Sequence, residues 1–263
     1  MRVSVDGVLV AVAGFERPLT RGRPTLLWLH GAGMDHTVWA LQARAKAFAP
    51  WNSLAPDLPG HGSSEGAPAA SIAAAAGWLF RLLDALGLER VALAGHSMGA
   101  LIALAAAAQA PDRVERLALL GAAARMPVHP RLIAAARQDL PAAAAMIADW
   151  GLGPGAKLTG GGTPGVSLVQ MARRLVERSR PGVLATDLAA CDAHASGETE
   201  AAAIGCPTLV LAGAADRMTP ARQGQQLAAL IPTATCVVVQ GAGHMMMLER
   251  PRPVLDALAG WAA

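Results

Sequence analysis

The chain has 263 residues, of which 53% are hydrophobic and 16% charged, and its formal net charge is +3. That length and apolar content describe an α/β domain with an ample core and exclude an intrinsically disordered chain. With aromatics at 3% and the arginines scattered, a nucleic-acid footprint is excluded, as is a membrane span, since no apolar run is long enough. Taken in chain order, Asp6-Gly7 between two short apolar runs predicts a β-hairpin. The hairpin explains residues 8–13 better than a signal peptide, for which the run is too short. Thr25–Leu29 is continuously apolar, as expected of a parallel strand buried on both faces, and ends in His30-Gly31-Ala32-Gly33. A helix is predicted over 37–48 and a strand over 52–55, followed by the turn-rich Asp57 to Ser64. A long helix over 67–86 stops at Gly87. Strand, helix and strand follow over 91–94, 100–108 and 114–120.

After Gly121 the alternation stops. Helices are predicted over 131–150, 167–179 and 183–195, with a glycine-rich loop over 151–165. Its Gly160-Gly161-Gly162 run predicts the most mobile part of the segment. The alternation resumes with a strand at 207–212, a helix at 220–230, a strand at 235–239 and a helix at 254–261. This order predicts an α/β architecture: a mostly parallel central sheet flanked by helices, with an inserted helical cap. The core comprises 1–124 and 200–263, and the cap comprises 125–199, its two ends close together. Arg173, Arg174, Arg178 and Arg180 read as a solvated helix face. Cys191, Cys206 and Cys236 are odd in number and lack C-x-x-C spacing. They argue against a disulfide framework or zinc knuckle and fit a reducing compartment, the cytoplasm.

The most informative residues are Gly95-His96-Ser97-Met98-Gly99, between the 91–94 strand and the 100–108 helix. A serine at so sharp a junction is strained, and glycines two before and two after remove the clash. The helix that follows points free N–H groups at the same spot. A serine hydroxyl is a weak nucleophile that needs a base, and the base needs an orienting carboxylate. Asp216 and His244 each follow a predicted strand, so topology brings them to the rim that carries Ser97. Each has a plainer reading: Ser97 as a helix N-cap, Asp216 as a cap for the helix near Pro220, His244 as a loop histidine. No acid stands at 121–124, which favours Asp216.

Together with His30 to Gly33, Asp57 to Ser64, and His244 to Pro251, these residues resemble the α/β-hydrolase superfamily with a helical cap. The resemblance covers nearly the whole chain. It implies Ser97 as nucleophile, His244 as base and Asp216 as its orienter, with the backbone N–H groups of Ala32 and Met98 as oxyanion hole. His36 and Met245 are candidates for the substrate pocket. His30, His61 and His96 are read as shaping or packing residues, and His129 and His194 lack metal-ligand partners. Neither cofactor nor metal is expected. The implied activity is hydrolysis of a small or medium carboxylic ester through an acyl-enzyme. The alternatives are carbon–carbon hydrolysis of a vinylogous diketone acid, with Arg173, Arg174 or Arg178 holding its carboxylate, and a receptor that captures ligand without turnover. The expected partner is a small acyl substrate; self-association is left open.

Overall fold

The computed structural model describes residues 1–15, 17–159 and 165–263. Its strands are β1 Arg2–Val5, β2 Val8–Ala13, β3 Thr25–Leu29, β4 Asn52–Pro56, β5 Val91–His96, β6 Val114–Leu120, β7 Thr208–Gly213 and β8 Ala234–Val239. They form one sheet in the order β1-β2-β4-β3-β5-β6-β7-β8. The hairpin β1–β2 and the pair β2–β4 are antiparallel, and the pairs from β4 to β8 are parallel. Asp6 and Gly7 turn the hairpin at φ 53° and 80°, the positive values that a type I′ turn needs.

The helices are α1 Ala40–Ala43, α2 Ile72–Leu86, α3 Met98–Gln109, α4 Pro130–Gln138, α5 Leu140–Gly151, α6 Pro154–Thr159, α7 Leu168–Glu177, α8 Val183–Ala193, α9 Gly197–Ala202, α10 Ala221–Leu230, α11 Met246–Glu249 and α12 Pro251–Ala262. Why the central strands are apolar throughout is visible in β3. Leu27 and Leu29 enter one apolar cluster with α2 and α3, while Leu26 and Trp28 enter the opposite one with α12. Alternate residues point to opposite faces, and helices cover both. A smaller apolar cluster, with Leu132, Ile147 and Leu184, lies within the insertion between β6 and β7. Gly197 sits against Ala124 so closely that a Cβ there would stand 2.0 Å from the Ala124 carbonyl oxygen. The start and end of the insertion therefore meet. Among the described residues, no helix is long and apolar enough to cross a membrane.

Several boundaries differ from the sequence expectation, each for a local reason. The 37–48 helix is broken into 3-10 turns around α1, with Asp35 accepting from the Thr37 N–H at the start. The 67–86 helix begins only at Ile72, because Ser71 caps it by accepting from the Ala74 N–H at 3.1 Å. The 131–150 helix divides at Asp139, which accepts from the Ala142 N–H at 3.0 Å and precedes a proline in the first turn of α5. The predicted 151–165 loop is partly helical, since Gly151 ends α5 and 154–159 form α6. Gly160-Gly161-Gly162 lies outside the described residues.

Candidate active site

Ser97 joins β5 to α3 at φ 54° and ψ −118°, a conformation costly for a residue with a side chain. Its N–H donates to Leu120 O at 2.9 Å, anchoring the bend to β6. The flanking glycines are sterically required. A Cβ on Gly95 would stand 2.2 Å from Gly99 O, and one on Gly99 would stand 2.3 Å from Leu29 O. Being the first residue of α3, Met98 has a backbone N–H with no intrahelical acceptor, directed past the N-terminal end.

The His30–Gly33 loop lies alongside, where a Cβ on Gly31 would stand 3.4 Å from Ser97 Cβ. His30 Nδ1–H donates to Gly31 O at 2.9 Å, and its Nε2 accepts the Leu58 N–H at 3.1 Å. Burial lowers its pKa to about 4, so it is a neutral brace for the loop. His96 is also neutral, lowered to about 3 chiefly by burial, and its Nε2–H donates to His244 O at 3.0 Å.

On the far side of Ser97, His244 Nδ1–H donates to Asp216 Oδ2 at 2.8 Å. Thr219 Oγ1 donates to the same Oδ2 at 2.7 Å and lies 3.2 Å from His244 Nδ1. Asp216 Oδ1 accepts the N–H groups of Met218 and Thr219 at 2.8 and 2.9 Å. Burial pushes the Asp216 carboxyl up, but the facing His244 and these donors outweigh it and leave the pKa below its ordinary value. Asp216 therefore caps its own loop and orients His244 at once. His244 Nε2 is buried and makes no hydrogen bond. The insertion grips the histidine loop directly: Gly151 O accepts the His244 N–H at 2.6 Å. Glu249 accepts the Gly153 N–H at 2.8 Å with Oε2 and the Gly243 N–H at 2.9 Å with Oε1. Burial raises the Glu249 pKa despite those donors.

Ser97 and His244 open onto a cavity of about 380 Å³. Ala32 and Met34 line it from the core, and Leu132, Ile147, Trp150 and Leu188 line it from the insertion. His36 and Met245, expected at the pocket, are not on its wall. His36 is drawn to Asp57, whose Oδ1 accepts its Nδ1–H and its backbone N–H, each at 2.8 Å. Met245 is 1% exposed and packs in the core with α12. The arginines offered for a substrate carboxylate are absent from the wall too: Arg173 and Arg174 pair with Glu177, and Arg178 pairs with Asp35. Arg217, Met218 and Thr219 do reach it. Sequence reasoning missed all three, although their position directly after Asp216 was a usable signal. Among the described residues, Asp35, His36 and Asp57 could group around a metal ion. Their oxygens and Nδ1 are already engaged, with Asp35 taken by Thr37 and Arg178.

Residues 24–251 match the family described as alpha/beta hydrolase fold. The chain is 29% identical over 250 residues to an (E)-2-((N-methylformamido)methylene)succinate hydrolase of Acinetobacter baylyi, covering 91% of this chain and 90% of that protein. It superposes on the enol-lactonase of Burkholderia xenovorans LB400 with a TM-score of 0.86 at 26% identity, covering 100% of this chain and 99% of the other. A thermophilic esterase from Thermogutta terrifontis, solved with malate bound, gives a TM-score of 0.80 at 26% identity, covering 100% and 97%. A family match across most of the chain, with the strand order and the strained elbow serine found above, has one meaning: this protein is a member of the α/β-hydrolase fold family.

Proposed function

We propose that the protein is a cofactor-independent serine hydrolase that cleaves small or medium carboxylic esters through an acyl-enzyme on Ser97. The observation that carries this reading is His244: Nδ1 bound to Asp216 and Nε2 buried, unpaired and on the same cavity wall as the strained Ser97. Ser97 Oγ attacks the ester carbonyl carbon while its proton passes to His244 Nε2. The carbonyl becomes an oxyanion, stabilised by the N–H groups of Met98 and Ala32. Collapse expels the alkoxide, which takes the proton back from Nε2. Water then enters, gives a proton to Nε2 and attacks the acyl carbon, releasing the acid and regenerating Ser97. Asp216 holds the Nδ1–H tautomer that leaves Nε2 free to act as base. A fluorophosphonate probe and a panel of p-nitrophenyl esters test the reading. Labelling at Ser97 with multiple turnovers is expected; labelling undiminished in Ser97→Ala overturns it, and single-turnover labelling identifies a receptor.

A second reading concerns charge. Arg217 lies on the cavity wall, and among the described residues its side chain makes no hydrogen bond or ion pair. The neighbouring acid Asp149 is paired with Lys157 at 2.8 Å. Among the described residues, no carboxylate lines the cavity. This favours acyl compounds that carry their own carboxylate, in keeping with the succinate-derived substrate named for the Acinetobacter relative. A diketone acid, whose carbon–carbon bond would be cleaved on the same serine, falls in this class. Arg217→Ala should raise KM for a hemisuccinate ester and leave a neutral butyrate ester unchanged; equal effects on both remove the charge preference.

A further inference from the structure

His61 and Asp187 form a buried pair that plays no part in the steps above. His61 stands in the turn after β4 and Asp187 on α8, each 3% exposed or less. The two ring nitrogens of His61 face only acceptors: Nδ1 is 3.0 Å from Pro59 O, and Nε2 is 2.7 Å from Asp187 Oδ2. A carbonyl oxygen and a carboxylate oxygen cannot donate, so both bonds are made only when both nitrogens carry protons. The same Oδ2 accepts the Gly33 N–H at 2.8 Å, a second donor that suits an ionised oxygen. Gly33 belongs to the loop that holds Ala32. It sits at φ 65°, and a Cβ there would stand 2.8 Å from Leu184 Cδ1, so α8 presses on the loop at two points. Met98, the other proposed oxyanion donor, borders one small void together with His61 and Asp187.

We propose that Asp187 is a positioning residue: from the insertion it holds the oxyanion loop at Gly33, and the His61 imidazolium holds it in turn. The proposal rests on the reading of Ser97 as nucleophile and of Ala32 N–H as an oxyanion donor. A donor displaced by a fraction of an ångström loses much of its value to the developing charge, because that value depends on fixed geometry.

The surrounding groups agree with a charged pair. His30, its ring 4.8 Å from that of His61, is kept neutral by burial and by His61. Cys191, one turn along α8, has its thiol pushed up by burial and by Asp187. Arg180 donates to Gly62 O, next to His61 in the chain, at 3.2 Å. Burial opposes charge on His61, but the Asp187 contact outweighs it, so its pKa stands above 6.5. The His61 half of the strut is therefore in place below that raised value and weakens as pH rises through it.

Two sets of measurements decide the matter. At pH 6, 15N shifts should include a histidine protonated on both nitrogens whose signal disappears in His61→Gln. The Gly33 amide should exchange at least ~10-fold faster in Asp187→Leu than in wild type. Neither reading needs turnover. A singly protonated His61, or unchanged Gly33 protection, overturns the strut whether or not Ser97 is a nucleophile. In turnover of p-nitrophenyl butyrate, Asp187→Leu should lower kcat about 30-fold with KM within about threefold. Asp187→Asn retains an acceptor for Gly33 and should recover most of that loss. A folded Asp187→Leu with wild-type kcat, or Asn and Leu variants equally impaired, overturns the proposal. If Asp187→Leu does not fold, the Asn variant and the wild-type 15N shifts carry the test. Ester hydrolysis unchanged in Ser97→Ala would instead defeat the nucleophile reading and leave the 15N and exchange results to judge the strut.

Discussion

The rim of the sheet and the helical insertion contribute to the same cavity in different ways. At the rim, backbone sets the geometry: Ser97 is bent between glycines that admit no side chain, and Asp216 is held by the N–H groups of its own loop. The insertion instead presents apolar side chains, among them Leu132, Ile147 and Trp150, whose exchange leaves the strand ends in place. A rim residue is therefore irreplaceable in kind, whereas a wall residue is replaceable in size. The separation is incomplete, because Gly151 O, Asp187 and Glu249 join the insertion to the rim through hydrogen bonds. The proposed selectivity wall and the proposed catalytic rim are thus joined at those points.

The comparison predicts a ranking of effects. The largest belongs to the rim: Ser97→Ala and His244→Ala should each lower kcat by ~10³ or more, and the double variant should be scarcely worse, since one unit is broken either way. Additive losses in the ester assay would mean that the two act separately. Asp216→Asn should cost about 10³–10⁴ in kcat by holding the wrong tautomer. Near-normal activity would transfer the orienting role elsewhere and leave Asp216 as a loop cap. On the insertion side, Ile147→Ala should shift the ratio of kcat/KM between octanoate and acetate esters by roughly 10-fold, the lower end of what one methylene is worth in an apolar pocket. An unchanged ratio with a lowered Tm would make the insertion a buttress and dissolve the contrast.

Smaller effects sharpen the same contrast. Thr219 lies on the cavity wall yet donates to Asp216, so it belongs to both regions. Thr219→Val should lower kcat by about 5-fold with little change in KM, as expected for loss of one hydrogen bond. A change confined to KM would place it with the wall. The smallest effect concerns His36, now outside the cavity. The hydrogen bond to Asp57 raises its pKa despite partial burial. Its contribution to stability is present below about pH 6.5 and is lost as pH rises through the higher folded value. In the same pair, burial pushes Asp57 up, yet the His36 bonds leave it lowered, so that contribution is lost in acid. Urea melts of wild type and His36→Gln should differ most between about pH 4 and 6.5, by less than ~1 kcal/mol for so accessible a ring. A difference that grows above pH 7 would reverse the assigned sign.

Much of the fold was legible in the residues. Continuous apolar runs marked β3 and the start of β5, because strands buried on both faces have no polar side. The Asp6-Gly7 turn, the Gly87 stop and the elbow glycines marked places where backbone conformation restricts residue type. The placement of Ser97, Asp216 and His244 was legible for a related reason: each follows a strand, and parallel strands end on one rim. Helix limits were less legible, since caps such as Ser71 and Asp139 compete with runs of alanine that read as helix on either side.

What the sequence determined by itself was therefore local and periodic: the strand–helix order, the strained serine and the rim on which its partners stand. Contacts between distant segments were decided only in three dimensions. Nothing near Asp187 announces that its carboxylate meets Gly33 and His61, 154 and 126 residues away. Likewise, Arg217 and not Arg173 reaches the cavity, and Met245 is taken by the core. The physical reason is that hydrogen bonds and packing act over a few ångströms of space without regard to chain separation. Only the folded path of the insertion brings these groups within that range.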